Sequence, residues 1–467
     1  MRVGNELPML IGVTGAGGFV GRALVEALSA HGHRVVALSR RPESLSASPS
    51  VERRRFDPNA EAPQSSAFEG LDAVVHLAGE SVSGRWTPRK KDAISTSRVA
   101  GTTRLVDSIA ACAKKPSVLI AASAVGYYGS RGDEPLFESS GPGDDFLARV
   151  CAEWESATRR AEAFGLRTAS LRTGIVLGAG GALTAMLPPF RFGVGGPFGS
   201  GRQFVPWIHI DDLVAMYRFA LEGDIAGPIN AVAPDYATSA RFAQALGAAL
   251  KRPALLPAPG FALRQILGEF ATSILASQLV LPARAEDAGF TWTFPHLEPA
   301  LANVLRPGAR GDFGVRTFAA RHVVARARDD VFAFFSDARN LEAMTPPSLR
   351  FRIRELPSKM ERGARISYRL SVHGIPMNWE TLIARWDPPH GFVDVQMHGP
   401  YALWRHEHTF EETEGGTAVI DRVEYSLPFA PFGDVARPAV QADIEKIFGF
   451  RREVLDGRLA GGAPAGS

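Results

Sequence analysis

The first 175 residues alternate short apolar runs with stretches of helical periodicity. After the first run, Val20, Leu24 and Leu28 recur at the spacing of an amphipathic helix, Phe19–Ala30. Strands that alternate with helices are joined by right-handed βαβ crossovers, which build a parallel sheet covered on both faces. The pattern therefore predicts a Rossmann-type, doubly wound α/β fold. The strand-type runs are Met9–Thr14, Arg34–Ser39, Asp72–Leu77, Val118–Ala122 and Arg167–Leu171, and the helical stretches include Lys90–Ala113 and Asp144–Ala163.

The pattern changes class after Leu305. Arg306–Val315 (RPGARGDFGV) combines Pro, Gly and alternating charge, and we interpret it as a linker. Beyond it, a helix at Asp329–Phe335, alternating strands and a terminal helix from about Pro438 to Leu459 predict an α+β domain. The predicted organisation is a flexible N-terminus (1–8), an α/β domain (9–305), a linker (306–315), an α+β domain (316–459) and a disordered tail (460–467).

Composition narrows the class of protein. The net charge of +3 is small for 467 residues, and the basic clusters Arg53–Arg55 and Arg89–Lys91 lack interleaved aromatic residues, which argues against nucleic-acid binding. No apolar run reaches the ~18–20 residues that span a bilayer, and the N-terminus lacks the apolar core of a signal peptide. Two cysteines, Cys112 and Cys151, make no disulfide framework. We expect a cytoplasmic protein without a membrane span; its oligomeric state stays open.

A glycine motif follows the first predicted strand. Thr14–Gly21 reads TGAGGFVG and opens the first helix. Gly15 permits a tight turn, Gly18 lets the backbone approach a pyrophosphate, and Gly21 lets the helix pack closely on the strand. The helix N-terminus then offers N–H groups to phosphate. This strand–turn–helix context predicts a dinucleotide site.

The end of the second strand indicates which nicotinamide cofactor binds. A site specific for NAD places a carboxylate there for the ribose 2′-hydroxyl. This sequence has Ser39, Arg40 and Arg41 instead, and the first acid is Glu43. A hydroxyl and guanidinium groups suit a 2′-phosphate, so we expect NADP(H).

Several further segments resemble one known family. They look like an atypical, epimerase-like branch of the extended short-chain dehydrogenases/reductases, over about 300 residues in order; residues 250–305 would be the family-specific C-terminal segment. The segments are HLAGE (His76–Glu80), SRVAGT (Ser97–Thr102), SAVGYYG (Ser123–Gly129), LRTGIVLG (Leu171–Gly178), GGPFGSGRQFVPWIHIDDL (Gly195–Leu213) and GFTWTFPHLEPAL (Gly289–Leu301).

The resemblance implies a set of cofactor contacts. Leu77 and Ala78 would line the nucleotide, Arg98 would approach the phosphates, and Arg172–Val176 would pass the nicotinamide side. Asp57, after the third strand, would meet the adenine. Together with the motif residues, the expected contacts are Gly15, Gly17, Gly18, Phe19, Val20, Gly21, Ser39, Arg40, Asp57, Leu77, Ala78, Gly79, Arg98, Arg172 and Val176.

The catalytic pattern of that superfamily is incomplete here. Ordinary members use a Ser with a Tyr-x-x-x-Lys pair, in which the Lys ammonium lowers the Tyr pKa. Ser123 stands in the expected place, but Cys151 stands for the Tyr and Glu155 for the Lys. No Tyr in the chain has a Lys four residues later. The usual acid–base pair is therefore absent.

Other residues are candidates for the missing proton donor. Tyr127 and Tyr128 follow Ser123 closely enough to face the same cleft, although packing at a strand end is an alternative role. Cys151 is a less favoured nucleophile, because a buried helical Cys is usually inert. We predict Ser123 and Tyr127 as the catalytic residues.

The C-terminal domain resembles the SRPBCC (START-like, polyketide cyclase/dehydrase-like) superfamily. The resemblance is carried by Arg328–Pro347, Gly399–Glu412 and the terminal helix, and it implies a helix-grip fold around an apolar cavity. Alternation places His406 and His408 on one sheet face. They lack a third ligand at fixed spacing, so we expect a polar pair and no metal. The expected cavity residues, with plain core as the alternative, are Trp379, Tyr401, Trp404 and His406.

Three functions fit these features. The favoured one is an NADP(H)-dependent reductase or epimerase that acts on an apolar, isoprenoid- or polyketide-like small molecule held by the SRPBCC domain. The second is a non-catalytic protein that binds or senses NADP(H) and carries a hydrophobic ligand. The third makes the C-terminal domain a cyclase or dehydratase and the N-terminal domain its reductase partner. The lost Tyr-x-x-x-Lys pair supports the second, and Ser123 with its adjacent tyrosines supports the first.

Overall fold

The computed structural model describes residues 8–44, 51–60, 62–305, 315–427 and 437–459. The chain divides into two compact units, Met1–Ala309 and Arg310–Ser467. The predicted flexible N-terminus, linker and disordered tail lie outside the described residues, apart from Pro8 and Val315. Their character therefore stays a prediction.

Parallel strands form the centre of the first unit. The main sheet has the order β11-β7-β5-β4-β1-β2-β3, and every neighbouring pair is parallel. This confirms the predicted doubly wound α/β fold. The strands are β1 (Leu10–Thr14), β2 (Arg34–Ser39), β3 (Val51–Arg55), β4 (Ala73–His76), β5 (Val118–Ala124), β6 (Pro135–Leu136), β7 (Arg167–Thr173), β8 (Ile175–Leu177), β9 (Phe204–Val205), β10 (Trp207–His209), β11 (Gly227–Ala231), β12 (Ala237–Thr238) and β13 (Leu279–Val280).

Helices cover both faces of this sheet because its strands are apolar on both sides. Leu24 and Leu28 of α1 pack with Leu213 and Tyr217 of α5 on one face. Residues of α2, including Leu105, pack on the other. The helices are α1 (Phe19–Ala30), α2 (Pro88–Ala110), α3 (Phe146–Arg159), α4 (Gly181–Arg191), α5 (Ile210–Glu222), α6 (Ser239–Leu250), α7 (Gly260–Leu267), α8 (Phe270–Leu275), α9 (Ala283–Asp287) and α10 (Leu297–Leu305).

The order of the strands locates the binding crevice. The chain runs from β1 outward through β2 to β3, and then returns to β4 on the other side of β1. Ligands of such sheets bind outside the carboxyl ends of the strands at this switch point. The residues after β1 and β4 therefore form the expected nucleotide site.

The second unit is an antiparallel sheet with helices packed against it. Its strands have the order β14-β20-β19-β18-β17-β16-β15, and Ile444 and Phe448 of its long terminal helix pack on Val423 and Tyr425 of the sheet. This confirms the α+β helix-grip class. The elements are β14 (Arg316–Val324), α11 (Arg328–Ser336), α12 (Asn340–Ala343), β15 (Arg352–Glu355), β16 (Arg365–Val372), β17 (Ile375–Asp387), β18 (Gly391–His398), β19 (Leu403–Thr413), β20 (Gly416–Ser426) and α13 (Arg437–Leu459).

Across the described ranges, no helix combines the length and the apolar character that a membrane crossing demands.

Candidate functional site

The glycine turn lies at the carboxyl end of β1, where α1 begins. Gly15 has a φ of +68°, and a Cβ on it would lie 3.0 Å from the backbone nitrogen of Ala78. A Cβ on Gly21 would lie 2.1 Å from the carbonyl oxygen of Gly15, so α1 can approach the turn only with glycine there. Gly18 at the N-cap brings no capping side chain. The first N–H groups of α1 are therefore available to a phosphate.

Side-chain hydrogen bonds hold the end of β4 against this turn. The Thr14 hydroxyl accepts hydrogen bonds from the backbone nitrogens of Leu77 (3.1 Å) and Ala78 (3.2 Å). It lies 2.7 Å from Nδ1 of His76, to which it donates its proton, and His76 Nε2 then donates to the Thr102 hydroxyl at 3.0 Å. Burial lowers the pKa of His76 to about 4, so the ring is neutral. The predicted contacts Leu77 and Ala78 are thus fixed beside the glycines.

Arg98 on α2 reaches the same place from the other side. Its Nη1 donates to the carbonyl oxygen of Glu80 at 2.8 Å, and its Cζ lies 3.4 Å from where a Cβ on Gly79 would be. Burial lowers the pKa of Arg98. Among the described residues, no carboxylate forms an ion pair with this guanidinium, whereas Lys90 pairs with Glu80 at 2.7 Å. A partly buried, unpaired guanidinium beside a glycine turn suits an anionic ligand.

The predicted selectivity residues lie at the carboxyl ends of β2 and β3. The Phe56 nitrogen donates to the Ser39 carbonyl at 3.0 Å, which brings Asp57 next to Ser39. Asp57 Oδ1 accepts a hydrogen bond from the Asn59 nitrogen at 3.0 Å. Arg40 is exposed and forms no ion pair with a described residue. Its charge is therefore available at the rim of the crevice.

Glu155, the residue at the predicted position of the usual Lys, forms a buried ion pair. Arg172 at the end of β7 forms two hydrogen bonds of 2.8 Å to the two carboxylate oxygens of Glu155 on α3. Ser123 on β5 donates to Glu155 Oε1 at 2.7 Å. All three side chains are almost fully buried. Ordinary members of the superfamily have a Lys ammonium at this position, whereas here Glu155 pairs with the Arg172 guanidinium. The pair directs the Arg172 side chain into the protein.

The same network separates the alternative proton donors. The Tyr128 hydroxyl donates to Asn230 Oδ1 at 2.6 Å and accepts from Arg172 Nη1 at 2.9 Å, and burial raises its pKa. Cys151 is fully buried, and burial raises the pKa of its thiol to about 12. Neither group is free to exchange a proton with a ligand near neutral pH.

Tyr127 differs from these two groups. Its ring lies on the Arg172 guanidinium, with the Arg172 Cζ 3.5 Å from the ring centroid. The side chain is only partly buried, and its hydroxyl makes no hydrogen bond to any part of the chain that the structure describes. Tyr127 therefore combines a fixed ring with an uncommitted hydroxyl.

The loop after β8 covers the start of α1. A Cβ on Gly178 or on Gly180 would lie 2.6 Å from atoms of the Phe19 ring. Val176, also a predicted cofactor contact, lies within β8 opposite Ile208 of β10. Small residues after β8 thus let this loop lie directly on the helix that carries the glycine turn.

The predicted cavity residues of the second unit fall into two groups. Trp379, Tyr401 and Trp404 pack on one another, with ring centroids 4.8 to 5.6 Å apart. His406 lies apart from them in a polar cluster with Asp394, His408 and Asp421. Whether the aromatic group lines a ligand cavity stays a prediction.

Sequence reasoning missed the partners of two sites. Glu155 was recognised only as the residue at the Lys position, and its partner Arg172 lies on a separate element, β7. Sequence reasoning also missed Asp394 and Asp421, which the register places opposite His406 and His408. No signal of sequence spacing identifies them, because they come from neighbouring strands.

Comparisons with known families match three segments of the chain. Residues 11–231 match the NAD dependent epimerase/dehydratase family, residues 258–304 match a domain of unknown function (DUF1731), and residues 324–448 match the family described as polyketide cyclase/dehydrase and lipid transport. The first segment spans β1 to β11. The third covers most of the second unit.

Individual relatives match the first unit over nearly their whole length. The chloroplastic SDR39U1 homologue of Arabidopsis thaliana, an epimerase family protein, is 40% identical over 307 residues, which are 65% of this chain and 88% of the relative. YfhF of Bacillus subtilis is 37% identical over 64% of this chain and 98% of its own length. The crystal structure of human SDR39U1 with NADPH superposes with a TM-score of 0.57 at 36% identity, covering 64% of this chain and all of that one.

Proposed function

The chain belongs to the epimerase family that includes SDR39U1, and we propose that it is an NADP(H)-dependent oxidoreductase of that family acting on an apolar small molecule. Its second unit belongs to the polyketide cyclase/dehydrase and lipid transport class. That class supports a hydrophobic ligand as the substrate.

Three features of the crevice support NADP(H) as the cofactor. The glycine turn and the N-terminus of α1 suit the pyrophosphate. Arg98 lies beside them and forms no salt bridge with a carboxylate among the described residues. Ser39 and Arg40 offer a hydroxyl and a cation for a 2′-phosphate. The human relative at 36% identity was solved with NADPH, which agrees with this assignment.

The observation that carries the catalytic proposal is that the Ser123 hydroxyl already donates a hydrogen bond, whereas the Tyr127 hydroxyl makes none to a described residue. Bound NADPH would supply the hydride. The Ser123 proton is directed to Glu155 at 2.7 Å, so the Ser123 oxygen offers a lone pair and accepts a hydrogen bond from a substrate hydroxyl or N–H group. The uncommitted Tyr127 hydroxyl, on a ring fixed by Arg172, gives the proton to a substrate carbonyl oxygen.

Single-turnover oxidation of NADPH tests this function against a panel of apolar carbonyl compounds. We expect slow reduction by the wild type, and a loss of roughly 100-fold for Tyr127→Phe, which is the usual scale of general acid catalysis. Cys151→Ala is the matched control and should react at the wild-type rate, because its thiol is buried away from reacting groups. A Tyr127→Phe variant that keeps NADPH affinity and reacts as fast as the wild type would exclude Tyr127 as the proton donor.

A non-catalytic protein that binds or senses NADP(H) is the second candidate function. It is favoured by the saturated network of Ser123, Glu155, Arg172 and Tyr128, in which each polar group already has a partner. The two functions differ in one measurement. Tight NADPH binding, together with a co-purifying apolar molecule that the bound NADPH never reduces, would support the sensor over the enzyme.

A further inference from the structure

We propose that Asp394, His406 and His408 bind one divalent transition-metal ion within the second unit. One ligand atom from each of the three side chains lies within 4.8 Å of those of the other two. His406 and His408 are two residues apart on β19 and share a face of the sheet. The antiparallel register places Asp394 of β18 directly opposite His406.

The distances in this cluster fit shared coordination better than hydrogen bonding. Asp394 Oδ2 lies 3.4 Å from His406 Nδ1 and 3.4 Å from His408 Nε2. Charge-assisted N–H···O bonds are shorter, ~2.7–2.9 Å. Metal–ligand bonds of ~2.0–2.2 Å at tetrahedral angles place neighbouring ligand atoms about 3.4 Å apart. The distance from the Asp394 oxygen to each histidine nitrogen is therefore the distance expected between two ligand atoms of one metal ion.

Asp421 lies where a carboxylate that accepts a hydrogen bond from a metal-bound histidine is expected. It lies on β20 opposite His408, and its Oδ1 accepts a hydrogen bond from His406 Nε2 at 2.9 Å. Histidines bound to metal almost always donate their second ring N–H to such a group. His408 Nδ1 is also 2.9 Å from this oxygen, but the ring orientation leaves that buried nitrogen without a hydrogen bond. A small rotation of the ring on metal binding would complete the pair.

The charges of the cluster also call for a cation. Asp394 and Asp421 are largely removed from water, and within the described ranges neither forms an ion pair with Arg or Lys. Buried carboxylates need a compensating charge. Protonating both imidazoles would place two cations in rings whose centroids are 3.8 Å apart. A single divalent ion neutralises both carboxylates while both rings stay neutral.

The surroundings of the cluster are apolar with one exposed side. Phe392 stacks on His408 at 4.2 Å, and Phe448 of α13 lies 5.3 Å from His406. The Asp394 side chain keeps 16% of its exposure, which gives an ion a route to the site. Three protein ligands leave a tetrahedral ion one position for water or a ligand oxygen. Two imidazoles and one carboxylate suit Zn²⁺, Co²⁺ and Fe²⁺.

Metal titration of the full chain tests the proposal. After dialysis against a chelator, the wild type should bind one Zn²⁺ per chain in competition with a chromophoric chelator. Co²⁺ at the same site should give the intense visible absorption of a tetrahedral ion. Failure to bind Zn²⁺ or Co²⁺ at one equivalent would overturn the proposal without use of any variant.

Two variants locate the ion, and a third controls for histidine chemistry. Asp394→Asn keeps the shape of the side chain and should lower Zn²⁺ affinity at least 100-fold. Asp421→Asn should lower it by roughly 10- to 100-fold, the usual effect of an outer partner. His398→Gln removes the hydrogen bond between the exposed His398 and Glu380. His398 lies on β18 together with Asp394, and its replacement should leave the Zn²⁺ affinity unchanged.

Heat stability gives an independent readout. Zn²⁺ should raise the melting temperature of the wild type and of His398→Gln, because it binds only the folded state. The rise should be absent in Asp394→Asn, whose far-ultraviolet circular dichroism should match the wild type. Equal Zn²⁺ affinity and an equal rise in Asp394→Asn would place the ion elsewhere and overturn the proposal.

Discussion

At the scale of single residues, we propose that Arg40 determines which nicotinamide cofactor the crevice prefers. Its guanidinium is exposed and forms no ion pair with a described residue, so it can bind a 2′-phosphate without losing another partner. We predict that NADPH binds at least ~10-fold tighter than NADH, or ~1.4 kcal/mol. Arg40→Ala should remove most of that preference, as measured by fluorescence titration with both nucleotides.

The control for this change is Arg34→Ala at the opposite end of the same strand. It removes the same charge from an exposed position and should leave the preference intact. Equal affinities of the wild type for the two nucleotides would contradict the assignment of Ser39 and Arg40.

We predict that His76 makes the stability of the first unit depend on pH. Its folded-state pKa of about 4 lies below the ordinary value of 6.5, so the unfolded state takes up the proton first as the pH falls. Above pH 6.5 the His76 ring is neutral in both the folded and the unfolded state, so it contributes nothing to the pH dependence of stability. Between pH 6.5 and 4 the free energy of unfolding should fall by up to about 3 kcal/mol, at ~1.4 kcal/mol per pKa unit.

The measurement is urea unfolding of the wild type and of His76→Gln across this range of pH. The variant lacks the titrating group, so its stability should fall less steeply than that of the wild type. Parallel pH profiles for the two proteins would show that His76 is not the group that titrates.

The residue scale also shows what a sequence can predict about a site. The glycine turn was predictable because Gly15 and Gly21 have local backbone reasons to be glycine, such as the φ of +68° at Gly15. The pairing of Glu155 with Arg172 was not, because it depends on how close α3 and the end of β7 lie. The expectation of no metal rested on His406 and His408 alone, without their neighbours Asp394 and Asp421.

At the scale of elements, apolar patterning predicted the central strands and missed the strands that lack an apolar pattern. β2 has the predicted bounds Arg34–Ser39, and α1 the predicted bounds Phe19–Ala30. The edge strand β3 was absent from the apolar runs because its sequence is VERRR and its side chains are mostly exposed. β11 (GPINA) contains Gly and Pro, which obscure a strand pattern. β3 and β11 both form by pairing with a neighbouring strand, and a single sequence does not show which strands pair.

The contact between α1 and β1 gives a prediction about the element that binds phosphate. A Cβ on Gly21 would lie 2.1 Å from the Gly15 oxygen and 2.9 Å from the Ala16 Cα, and backbone atoms cannot rotate away. Gly21→Ala should therefore push α1 from the turn, with about 1–3 kcal/mol of lost stability. NADPH affinity should fall at least 10-fold.

Calorimetry and nucleotide titration check this change together. Gly141→Ala is the matched control, because a Cβ there meets no atom within 4 Å. If Gly21→Ala melted and bound NADPH like the wild type, the close contact between α1 and the turn would be dispensable.

At the scale of the whole molecule, the two units should fold separately. The chain divides between Ala309 and Arg310, and each side has its own hydrophobic core. We predict that residues 1–309 and 310–467, expressed apart, are soluble and melt cooperatively. The first piece should keep the NADPH affinity of the full chain, and the second should keep its Zn²⁺ affinity.

Circular dichroism melting and nucleotide titration of the two pieces are the measurements. A piece that is insoluble, or that lacks fixed tertiary structure, would contradict the independence of the units. The boundaries 9–305 and 316–459 stay a prediction, and the linker between them lies outside the described residues.

The buried pair of Glu155 and Arg172 has a consequence for any attempt to engineer the ordinary Tyr–Lys pair into this chain. Restoring the ordinary catalytic pair by Glu155→Lys would set an ammonium against the Arg172 guanidinium in a site closed to water. Introducing a tyrosine at Cys151 would force a ring into a fully buried position. Each single substitution is therefore expected to destabilise the fold by itself, and only a concerted replacement that includes Arg172 would accommodate the ordinary pair.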